Sequence, residues 1–328
     1  MSGATHSTER AFWLREPGQG EIRPAELGRP GPDDVLVRTL YSAVSRGTEA
    51  LVFRGGVPAS QHDVMRAPFQ EGDFPAPVKY GYLNVGIVES GPPDLLGRTV
   101  FCLYPHQTRY VVPAAAVTPV PETVPARRAV LAGTVETAVN AVWDASPQVG
   151  DKIAVIGAGM VGASVARILA GIPGTRVQLV DIDPARQGLA AGLGVDFVLP
   201  PDATGDCDLV VHASASEQGL TRALELLRPE GVCVELSWYG DRRVSVPLGE
   251  WFHSRRLTIR SSQVGTVSPA RPKSYGQRLA VALGLLADAG FDALVTDECR
   301  FDELPAVLPK LISSEPSSLC LRVTYDSD

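Results

Sequence analysis

The chain has 328 residues, of which 45% are hydrophobic and 20% are charged, and this composition predicts a globular protein with room for one large or two ordinary domains. The net charge of −7 is spread along the chain without a basic block, which argues against a nucleic-acid partner, and no apolar run is long enough to predict a membrane span. Five widely spaced cysteines and an N-terminus without an apolar core predict a cytoplasmic protein with no disulfides and no secretory signal, in which residues 1–8 are frayed.

The first third of the chain has the pattern of a β-rich unit. Residues 10–120 are rich in proline and glycine, and turn signals such as "RPGPDD" and "SGPPDLLG" separate short β-like runs. Those runs are "DVLVRTLYSAVS", "NVGIVES", "GRTVFCLY" and "TRYVVP". Short strands between proline- and glycine-rich turns predict an irregular, barrel-like β unit.

The pattern changes near residue 125. Residues 126–145 are predicted to be helical because valines recur there near helical spacing. Predicted strands at 152–156 and 176–180, and in "DLVVHAS", "GVCVELSWYG" and "RRLTIRSSQV", then alternate with predicted helices. This βαβα order predicts a parallel, doubly wound sheet, and two more helices (about 276–289 and 302–312) and a strand, "LCLRVTYD", follow it.

A glycine-rich turn follows the first strand of this region. Gly157, Gly159 and Gly162 have the G-x-G-x-x-G spacing between an apolar strand and a helix that begins with Met160 and Val161. Such a turn lets the helix N-terminus approach a pyrophosphate, whose charge the N–H groups and the helix dipole stabilise. The sequence therefore predicts a dinucleotide site.

An acidic residue at the end of the next strand indicates which dinucleotide binds. Asp181 follows Gly162 by 19 residues, where a carboxylate can accept hydrogen bonds from both ribose hydroxyls. The same carboxylate repels a 2′-phosphate, so the predicted cofactor is NAD rather than NADP. Arg186 is the nearest cation and is included among the predicted cofactor-binding residues.

The order of these parts resembles the medium-chain dehydrogenase/reductase superfamily over about residues 10–326. "VLVRTLYSAVSRGTEALVFRGGVP", "PVKYGYLNVGIV", "SWYG" and "FHSRRLTIRSSQVG" further resemble the group of bacteriochlorophyllide a dehydrogenase. The resemblance implies an α/β fold, with a GroES-like β-rich catalytic domain at 1–125 and a Rossmann domain with a doubly wound parallel sheet at 126–263. Residues 264–328 are expected to return to the catalytic domain, the active site is expected in the cleft between the domains, and a homodimer is expected.

Zinc-dependent members of the superfamily hold the metal with Cys, His and Cys or Asp. At the corresponding positions this chain has Ser45, Tyr82 (in "GYL", where zinc enzymes have "GHE") and Gly133, so no thiolate or imidazole ligand remains. The lobe with four cysteines that holds a structural zinc is also missing. The resemblance therefore implies an enzyme without a metal.

Several side chains are candidates for proton transfer or substrate binding. Tyr82 is predicted to exchange a proton with the substrate oxygen, with Lys79 lowering its pKa, or else to fill the space of the lost metal site. Thr48, Ser45 and His106 are rival candidates. A separate expectation is that Glu136 orients a substrate hydroxyl or is exposed on its helix.

The resemblance places further residues at the cofactor. Arg46 and Arg322 match arginines that hold pyrophosphate, and the alternative for each is a surface arginine. Ser237 and Trp238 are expected to meet the nicotinamide, and Gln263 its carboxamide. Trp238 and Tyr239 are predicted either to form an aromatic wall for the substrate or to pack in the core.

These expectations combine into one function with two alternatives. The favoured function is a zinc-free, NAD-dependent oxidoreductase that interconverts a secondary alcohol and a ketone on a small molecule. The first alternative is an enone reductase that adds hydride to a C=C bond. The second is a nucleotide-binding protein without turnover, since intact cofactor motifs do not establish catalysis.

Overall fold

The computed structural model describes residues 9–271, 273–313 and 318–326, so the predicted fraying of residues 1–8 lies outside the described residues. The chain divides into two compact units. The first unit contains the residues up to Gly133 and those from Val295 onward, and the second contains Thr134–Leu294.

The strands and helices are numbered separately in chain order. The strands are β1 (Glu9–Glu16), β2 (Gln19–Ala25), β3 (Asp34–Ser45), β4 (Glu71–Gly72), β5 (Val78–Lys79), β6 (Asn84–Ser90), β7 (Thr99–Cys102), β8 (Arg109–Pro113), β9 (Val117–Pro119), β10 (Lys152–Ile156), β11 (Arg176–Val180), β12 (Asp196–Val198), β13 (Cys207–His212), β14 (Leu227–Glu235), β15 (Thr258–Ser261), β16 (Val295–Arg300) and β17 (Cys320–Thr324). The α-helices are α1 (Arg46–Phe53), α2 (Ala126–Ala129), α3 (Ala132–Ala145), α4 (Met160–Ala170), α5 (Gln187–Leu193), α6 (Glu217–Leu226), α7 (Trp251–Ser254), α8 (Tyr275–Leu285) and α9 (Leu304–Ser313). Short 3-10 helices cover Ala59–Gln61, Ala114–Ala116, Pro184–Arg186, Pro200–Asp202, Ala289–Leu294 and Phe301–Glu303.

The first unit is β-rich, as predicted. One sheet has the order β2-β1-β5-β4, and a larger one has the order β16-β17-β3-β6-β7-β9, with β8 also paired to β3. The long strand β3 is central to the larger sheet because it pairs antiparallel with β6, β8 and β17. Its alternate residues Val35 and Val37 are fully buried in a core shared with Val88, Val100 and Tyr110, as a strand with one face on the core requires.

The second unit contains the predicted doubly wound sheet. Its strand order is β12-β11-β10-β13-β14-β15, and every neighbouring pair is parallel. The central strand β10 buries the run Ile153–Ile156, since helices cover both faces of a parallel sheet. The carboxyl ends of β10, β11, β13 and β14 therefore lie along one edge, where such sheets bind ligands.

The division into units differs from the predicted boundaries at residues 125 and 263. The predicted helix 126–145 is two helices, α2 and α3, and the unit boundary falls between Gly133 and Thr134. Residues 264–294, which were expected to return to the catalytic domain, belong to the second unit. Arg278 of α8 forms an ion pair with Glu136 of α3, and the 3-10 helix Ala289–Leu294 packs on α4 and α5.

Two findings concern the whole described chain. All five cysteines are buried free thiols. Among the described residues, no helix combines the length and the hydropathy needed to cross a bilayer.

Candidate functional site

The turn between β10 and α4 has the shape that a bound phosphate requires. Gly157 has a φ of +105°, and a Cβ at Gly162 would lie 2.0 Å from the carbonyl oxygen of Gly157, so both positions require glycine. A Cβ at Gly159 would meet no heavy atom within 4 Å, so the space in front of this residue is open. Gly159 precedes α4, whose first residue, Met160, is buried, while Val161 is half-buried. The helix N-terminus thus faces free volume, which suits a pyrophosphate.

Asp181 is held rigidly at the carboxyl end of β11. Its Oδ2 accepts a hydrogen bond of 2.6 Å from the N–H of Ala158, and its Oδ1 accepts one of 2.9 Å from the N–H of Asp183. Ile182, the next side chain, is 83% exposed. Sequence reasoning passed over Ile182, although an isoleucine between two acidic residues after a strand was a signal for an exposed apolar contact. The carboxylate and this apolar side chain together offer polar and apolar contacts to a nucleoside.

The guanidinium of Arg186 is not exposed at the surface for contact with a phosphate. Its side chain is buried, and its Nε lies 3.5 Å from the carboxylate of Asp183 in an ion pair. The cation nearest to Asp181 in sequence is therefore already partnered by an acidic residue.

A second polar cluster at the same edge of the sheet was not predicted. His212, at the end of β13, is fully buried, with Nδ1 2.7 Å from Glu235 Oε2 and Nε2 2.7 Å from Ser214 Oγ. Burial alone would raise the pKa of Glu235, but the hydrogen bond and charge of His212 lower it below its ordinary value. The available signal was a polar residue at the same end of each of two adjacent parallel strands.

The segment after β14 is tied to this cluster. Ser237 donates its N–H to Glu235 Oε1 at 2.7 Å, and its hydroxyl accepts a bond of 3.0 Å from the N–H of Ala215. Tyr239 donates its hydroxyl to Glu235 Oε2 at 3.1 Å, and burial followed by the charge of Glu235 raises its pKa. Trp238, between them, is 38% exposed. Trp238, one of the two residues of the predicted aromatic wall, is thus partly exposed. The hydroxyl of Tyr239, the other residue, is hydrogen-bonded to Glu235.

Glu136 is buried, so the prediction that it is exposed on its helix is wrong, whereas its role toward a substrate hydroxyl stays a prediction. It is 5% exposed, and its Oε1 lies 3.0 Å from Nε of Arg278. Arg278 also donates to Asn140 Oδ1 at 2.7 Å and to the carbonyl of Val264 at 2.6 Å. Gln263 precedes that carbonyl, and its side-chain oxygen accepts the N–H of Gly265 at 2.6 Å. Glu136 therefore helps to hold the loop that carries Gln263.

In the first unit, three hydroxyl groups come together where β3 gives way to α1. The hydroxyls of Ser45 and Thr48 form hydrogen bonds with the phenol of Tyr82, which is half-buried. Burial and then the charge of Glu49 raise the pKa of Tyr82 to about 12. The expectation of a lowered pKa is therefore wrong, and Tyr82 is a neutral hydrogen-bond donor at physiological pH.

Lys79 has a different role from the one predicted. Its ammonium forms an ion pair with Glu71, donates to Gln107 Oε1 at 2.8 Å and lies 5.3 Å from the ring centre of Tyr104. The side chain is 2% exposed, and burial lowers its pKa. Lys79 is not among the groups that shift the pKa of Tyr82. The ammonium of Lys79 is paired with Glu71 instead.

His106 is buried with both ring nitrogens engaged. Its Nε2 lies 3.0 Å from Glu49 Oε2, and its Nδ1 lies 2.7 Å from Ser42 Oγ. The ring is 2% exposed, which disfavours direct contact with a substrate, although the role of His106 in proton transfer stays a prediction. Sequence reasoning missed Glu49 and Ser42, although Glu49 lies in the first turn of α1, next to Thr48.

The two arginines predicted at the pyrophosphate are both tethered within the first unit. Arg46 donates to the carbonyl of Ser318 at 3.3 Å. Arg322 forms an ion pair with Glu298, with Nε 2.6 Å from Oε2, and donates to the carbonyl of Arg127 at 3.3 Å. A phosphate bound by Arg322 would have to compete with the carboxylate of Glu298 for the guanidinium. The binding of pyrophosphate by Arg46 stays a prediction.

The positions that hold zinc in related enzymes lack the necessary donors. Ser45 and Tyr82 offer hydroxyls, and a Cβ at Gly133 would lie only 2.6 Å from Cδ2 of Leu83, so no ligating side chain fits there. Within 9–271, 273–313 and 318–326, no three His, Cys, Asp or Glu side chains are grouped so that they could hold a metal ion. The donor set does not suit zinc.

Comparison with known proteins establishes the fold. No family model matches the chain. It is 27% identical over 229 residues to D-guloside 3-dehydrogenase of Shigella flexneri, in an alignment that covers 64% of this chain and 61% of the relative. This chain thus spans less than two thirds of the length of that curated relative.

Solved structures match almost the whole chain. An alcohol dehydrogenase of Escherichia coli CFT073 in complex with NADH has a TM-score of 0.76 and 16% identity, covering 97% of this chain and 100% of its own. A putative zinc-binding dehydrogenase of Sinorhizobium meliloti 1021 bound to NADP has a TM-score of 0.78 and 16% identity, with the same coverage. At this level of identity the likeness concerns the fold, and the chain shares with these dehydrogenases an α/β fold of a GroES-like and a Rossmann domain.

Proposed function

We propose that this protein is an NAD-dependent, zinc-independent oxidoreductase that interconverts a secondary alcohol and a ketone. The observation that carries the proposal is the open glycine turn before α4, with Asp181 held beside it by two backbone N–H groups. A dinucleotide fits this arrangement, because the turn leaves room for pyrophosphate and the carboxylate can accept bonds from a ribose. The bound nicotinamide would supply the hydride chemistry.

NAD is favoured over NADP by the charges around Asp181. A 2′-phosphate would face the Asp181 carboxylate, and the guanidinium of Arg186 is already paired with Asp183. Neighbours of this fold have been solved with NADH and with NADP, so the fold alone does not decide between them.

Tyr82 is the group proposed to exchange a proton with the substrate oxygen. Its phenol is protonated at neutral pH, because its pKa is about 12, and the hydroxyls of Ser45 and Thr48 orient it. A neutral phenol can donate to a carbonyl oxygen as that oxygen gains electrons. His106 is too deeply buried to take this place.

The absence of a metal role is proposed from the donor set. Ser45, Tyr82 and the crowded Gly133 stand where relatives with zinc need nitrogen or sulfur ligands. The hydrogen bond from Tyr82 would then polarise the substrate carbonyl in place of a metal ion. The resemblance to the bacteriochlorophyllide a dehydrogenase group remains part of this proposal, since its members act on a secondary alcohol.

The substrate class is proposed to be a secondary alcohol carried by a hydroxyl-rich or natural-product-like small molecule. The support is the 27% identity with a protein named for the 3-dehydrogenation of D-gulosides. Oxidation of a ring hydroxyl in a glycoside is the same conversion of a secondary alcohol to a ketone.

A spectrophotometric panel tests the proposal. The protein is mixed with NAD⁺ or NADP⁺ and with methyl glycosides, sugar acids, 2,3-butanediol and hydroxyethyl-bearing chlorins, and reduced cofactor is followed by its absorbance. We expect NADH to form with at least one secondary alcohol and to form more slowly, or not at all, with NADP⁺. Reduction of an enone panel by NADH, with no alcohol oxidised, would replace this function by C=C reduction.

A further inference from the structure

A chain of buried polar side chains in the first unit is not used by the proposed chemistry. Ser42 and His106 are almost completely buried, and Ser42 Oγ lies 2.7 Å from His106 Nδ1 and 2.8 Å from the hydroxyl of Tyr325. The other ring nitrogen of His106 lies 3.0 Å from Glu49. Four side chains from four separate parts of the sequence therefore form one continuous hydrogen-bonded line.

The outer end of this line reaches a cavity. Tyr325 helps to line a space of about 250 Å³. The lining is largely polar and charged, and it includes Arg10, Thr39, Thr108 and Arg109. A polar space of this size holds several water molecules. Tyr325 is half-buried, and it is the member of the line that also lines this cavity.

The inner end of the line adjoins the proposed proton donor. Glu49 lies one residue after Thr48, and its Oε1 accepts the N–H of Ser45 at 2.8 Å. Ser45 and Thr48 are the two hydroxyls that bond to Tyr82. Glu49 is also the charge with the largest effect on the Tyr82 phenol, which places the carboxylate close to it.

The proposed reaction requires a route by which protons move between Tyr82 and bulk water. After donating its proton, Tyr82 is a phenolate whose pKa is about 12, so at pH 7 only about one molecule in 10⁵ would hold that form at equilibrium. The phenolate must be reprotonated in reduction, and a proton must be carried away in oxidation. Bulk water is the final source or acceptor in both directions.

We infer that Glu49, His106, Ser42 and Tyr325 form a proton path that joins the Tyr82 site to the hydrated cavity beside Tyr325. This inference rests on the proposed function for its purpose and for the last transfer, between Glu49 and Tyr82, whereas hydrogen bonds define the line from Glu49 to Tyr325. His106 and Ser42 act through Glu49 and do not touch the substrate.

Each transfer along the path breaks one O–H or N–H bond and forms the next. In ketone reduction, water in the cavity gives a proton to Tyr325, Tyr325 to Ser42, and Ser42 to Nδ1 of His106. Nε2 then releases its proton to Glu49, and the Tyr82 phenolate, on which this carboxylate acts, takes the proton from it. In alcohol oxidation the same transfers run in reverse, and rotation of the hydroxyls and the tautomer change at His106 reset the line.

The environment of the imidazole is compatible with transfer. Glu49 is the charged group bonded to the ring, and Phe12 packs edge-on against it with ring centres 6.2 Å apart. Tyr325 acts on it through Ser42. The same bonds also tie β3, α1 and the chain end together, so a purely structural role predicts the same geometry and must be separated by experiment.

The rate of proton exchange at the His106 ring distinguishes a proton path from a purely structural role, and its measurement needs no substrate. The full chain is labelled with ¹⁵N-histidine, and the ring N–H signal that disappears in His106→Gln is assigned to His106. Saturation transfer from water then gives its exchange rate. A conducting path predicts rapid exchange in spite of 2% exposure, because a buried ring without a path exchanges only when the protein opens.

Variants at two links test the path. Ser42→Ala and Tyr325→Phe should each slow the exchange at least tenfold while leaving the melting temperature of the unit near that of the parent. Ser318→Ala, a buried serine of the same unit that lies off the line, should leave exchange unchanged. Exchange that is slow in the parent, or unchanged in Tyr325→Phe, would overturn the inference. A silent Tyr82→Phe variant in turnover, with the exchange result intact, would instead reject only the proposed function.

Discussion

At the scale of single residues, Tyr82 carries the proposed chemistry because it is a neutral phenol bonded to two hydroxyls. Tyr82→Phe should lower turnover about 10²–10⁴-fold, the usual contribution of a general acid, while cofactor affinity and fold are retained. Steady-state kinetics and NADH fluorescence measure the two effects. Tyr80→Phe, which removes the hydroxyl of the ring packed edge-on against Tyr82, is the matched control and should have little effect. Equal losses in both variants would mean that the tyrosines only fill space.

The pKa of Tyr82 also fixes the expected pH dependence. Because burial raises that pKa to about 12, the donor form persists up to strongly alkaline pH, and the profile of ketone reduction should show no loss from Tyr82 between pH 6 and 10. A fall in reduction rate with a midpoint below pH 9 that disappears in Tyr82→Phe would show that the phenol ionises much earlier.

Asp181 is the residue proposed to set the preference between the two nicotinamide cofactors. The unmodified protein should bind NADH more tightly than NADPH by about tenfold or more, because a like charge opposite the 2′-phosphate costs over ~1.4 kcal/mol. Asp181→Ser should narrow this ratio, and Asp196→Asn, on the edge strand β12, should not. Fluorescence titration measures both. Equal affinities in the unmodified protein would contradict the assignment.

The positions of side chains in the fold could be predicted from the sequence only where the local chain determines them. The spacing of Gly157, Gly159 and Gly162 and the position of Asp181 depend on one turn and one strand, so their placement followed from the pattern. The partners of Lys79 and Glu136 come from distant segments, Glu71, Gln107 and Arg278 among them. No periodicity reveals such partners, and a charge near Tyr82 in sequence was therefore mistaken for a charge acting on it.

At the scale of elements, the pair α3 and α8 depends on one buried ion pair. Arg278→Met should destabilise the second unit by about 3–5 kcal/mol, because it leaves Glu136 buried without a partner and frees the carbonyl of Val264. The double variant Arg278→Met with Glu136→Leu should recover part of that loss. Urea unfolding followed by tryptophan fluorescence measures the changes.

An exposed ion pair, between Arg228 and Asp208, serves as the control for the buried pair. Arg228→Met removes a partner of Asp208 at the surface and should cost less than about 1 kcal/mol. An Arg278→Met effect as small as that of Arg228→Met would show that α8 is held by its apolar contacts instead.

Strands and helices were predictable where their hydrophobic period was regular. β3, β6, β10, β11 and β13, and the start of α4, lie where the pattern placed them. β1 was missed because its apolar residues Ala11–Leu14 form a continuous run without alternation. β2 was missed because its residues are half-buried or exposed, and β16 because most of its residues are exposed. The helix predicted at 126–145 breaks at Val130 and Leu131, which continue its apolar period without continuing the helix.

At the scale of the whole molecule, the edge of the parallel sheet is the proposed dimer surface. β15 is the last strand of its sheet, and its Thr258, Arg260 and Ser261 side chains are exposed. An open edge of this kind pairs readily with a second copy about a two-fold axis. Light scattering at micromolar concentration should give twice the chain mass of 34.8 kDa.

A pair of substitutions locates that interface. Thr258→Asp with Ser261→Asp should weaken the dimer through like-charge repulsion across the two-fold axis, whereas Thr221→Asp on α6 should not. The edge-to-edge arrangement would be refuted if the parent protein had the mass of a monomer. It would also be refuted if the β15 substitutions left the dimer mass unchanged.

The zinc content and chelator sensitivity of the active enzyme test the central claim most directly. The protein is assayed for NADH formation with its best secondary alcohol before and after dialysis against a strong chelator, and its metal content is measured by elemental analysis in the same samples. Since Ser45, Tyr82 and Gly133 offer no nitrogen or sulfur ligand, we predict far less than one zinc per chain and an unchanged rate. One zinc per chain, with activity lost on its removal and restored by its return, would contradict the account.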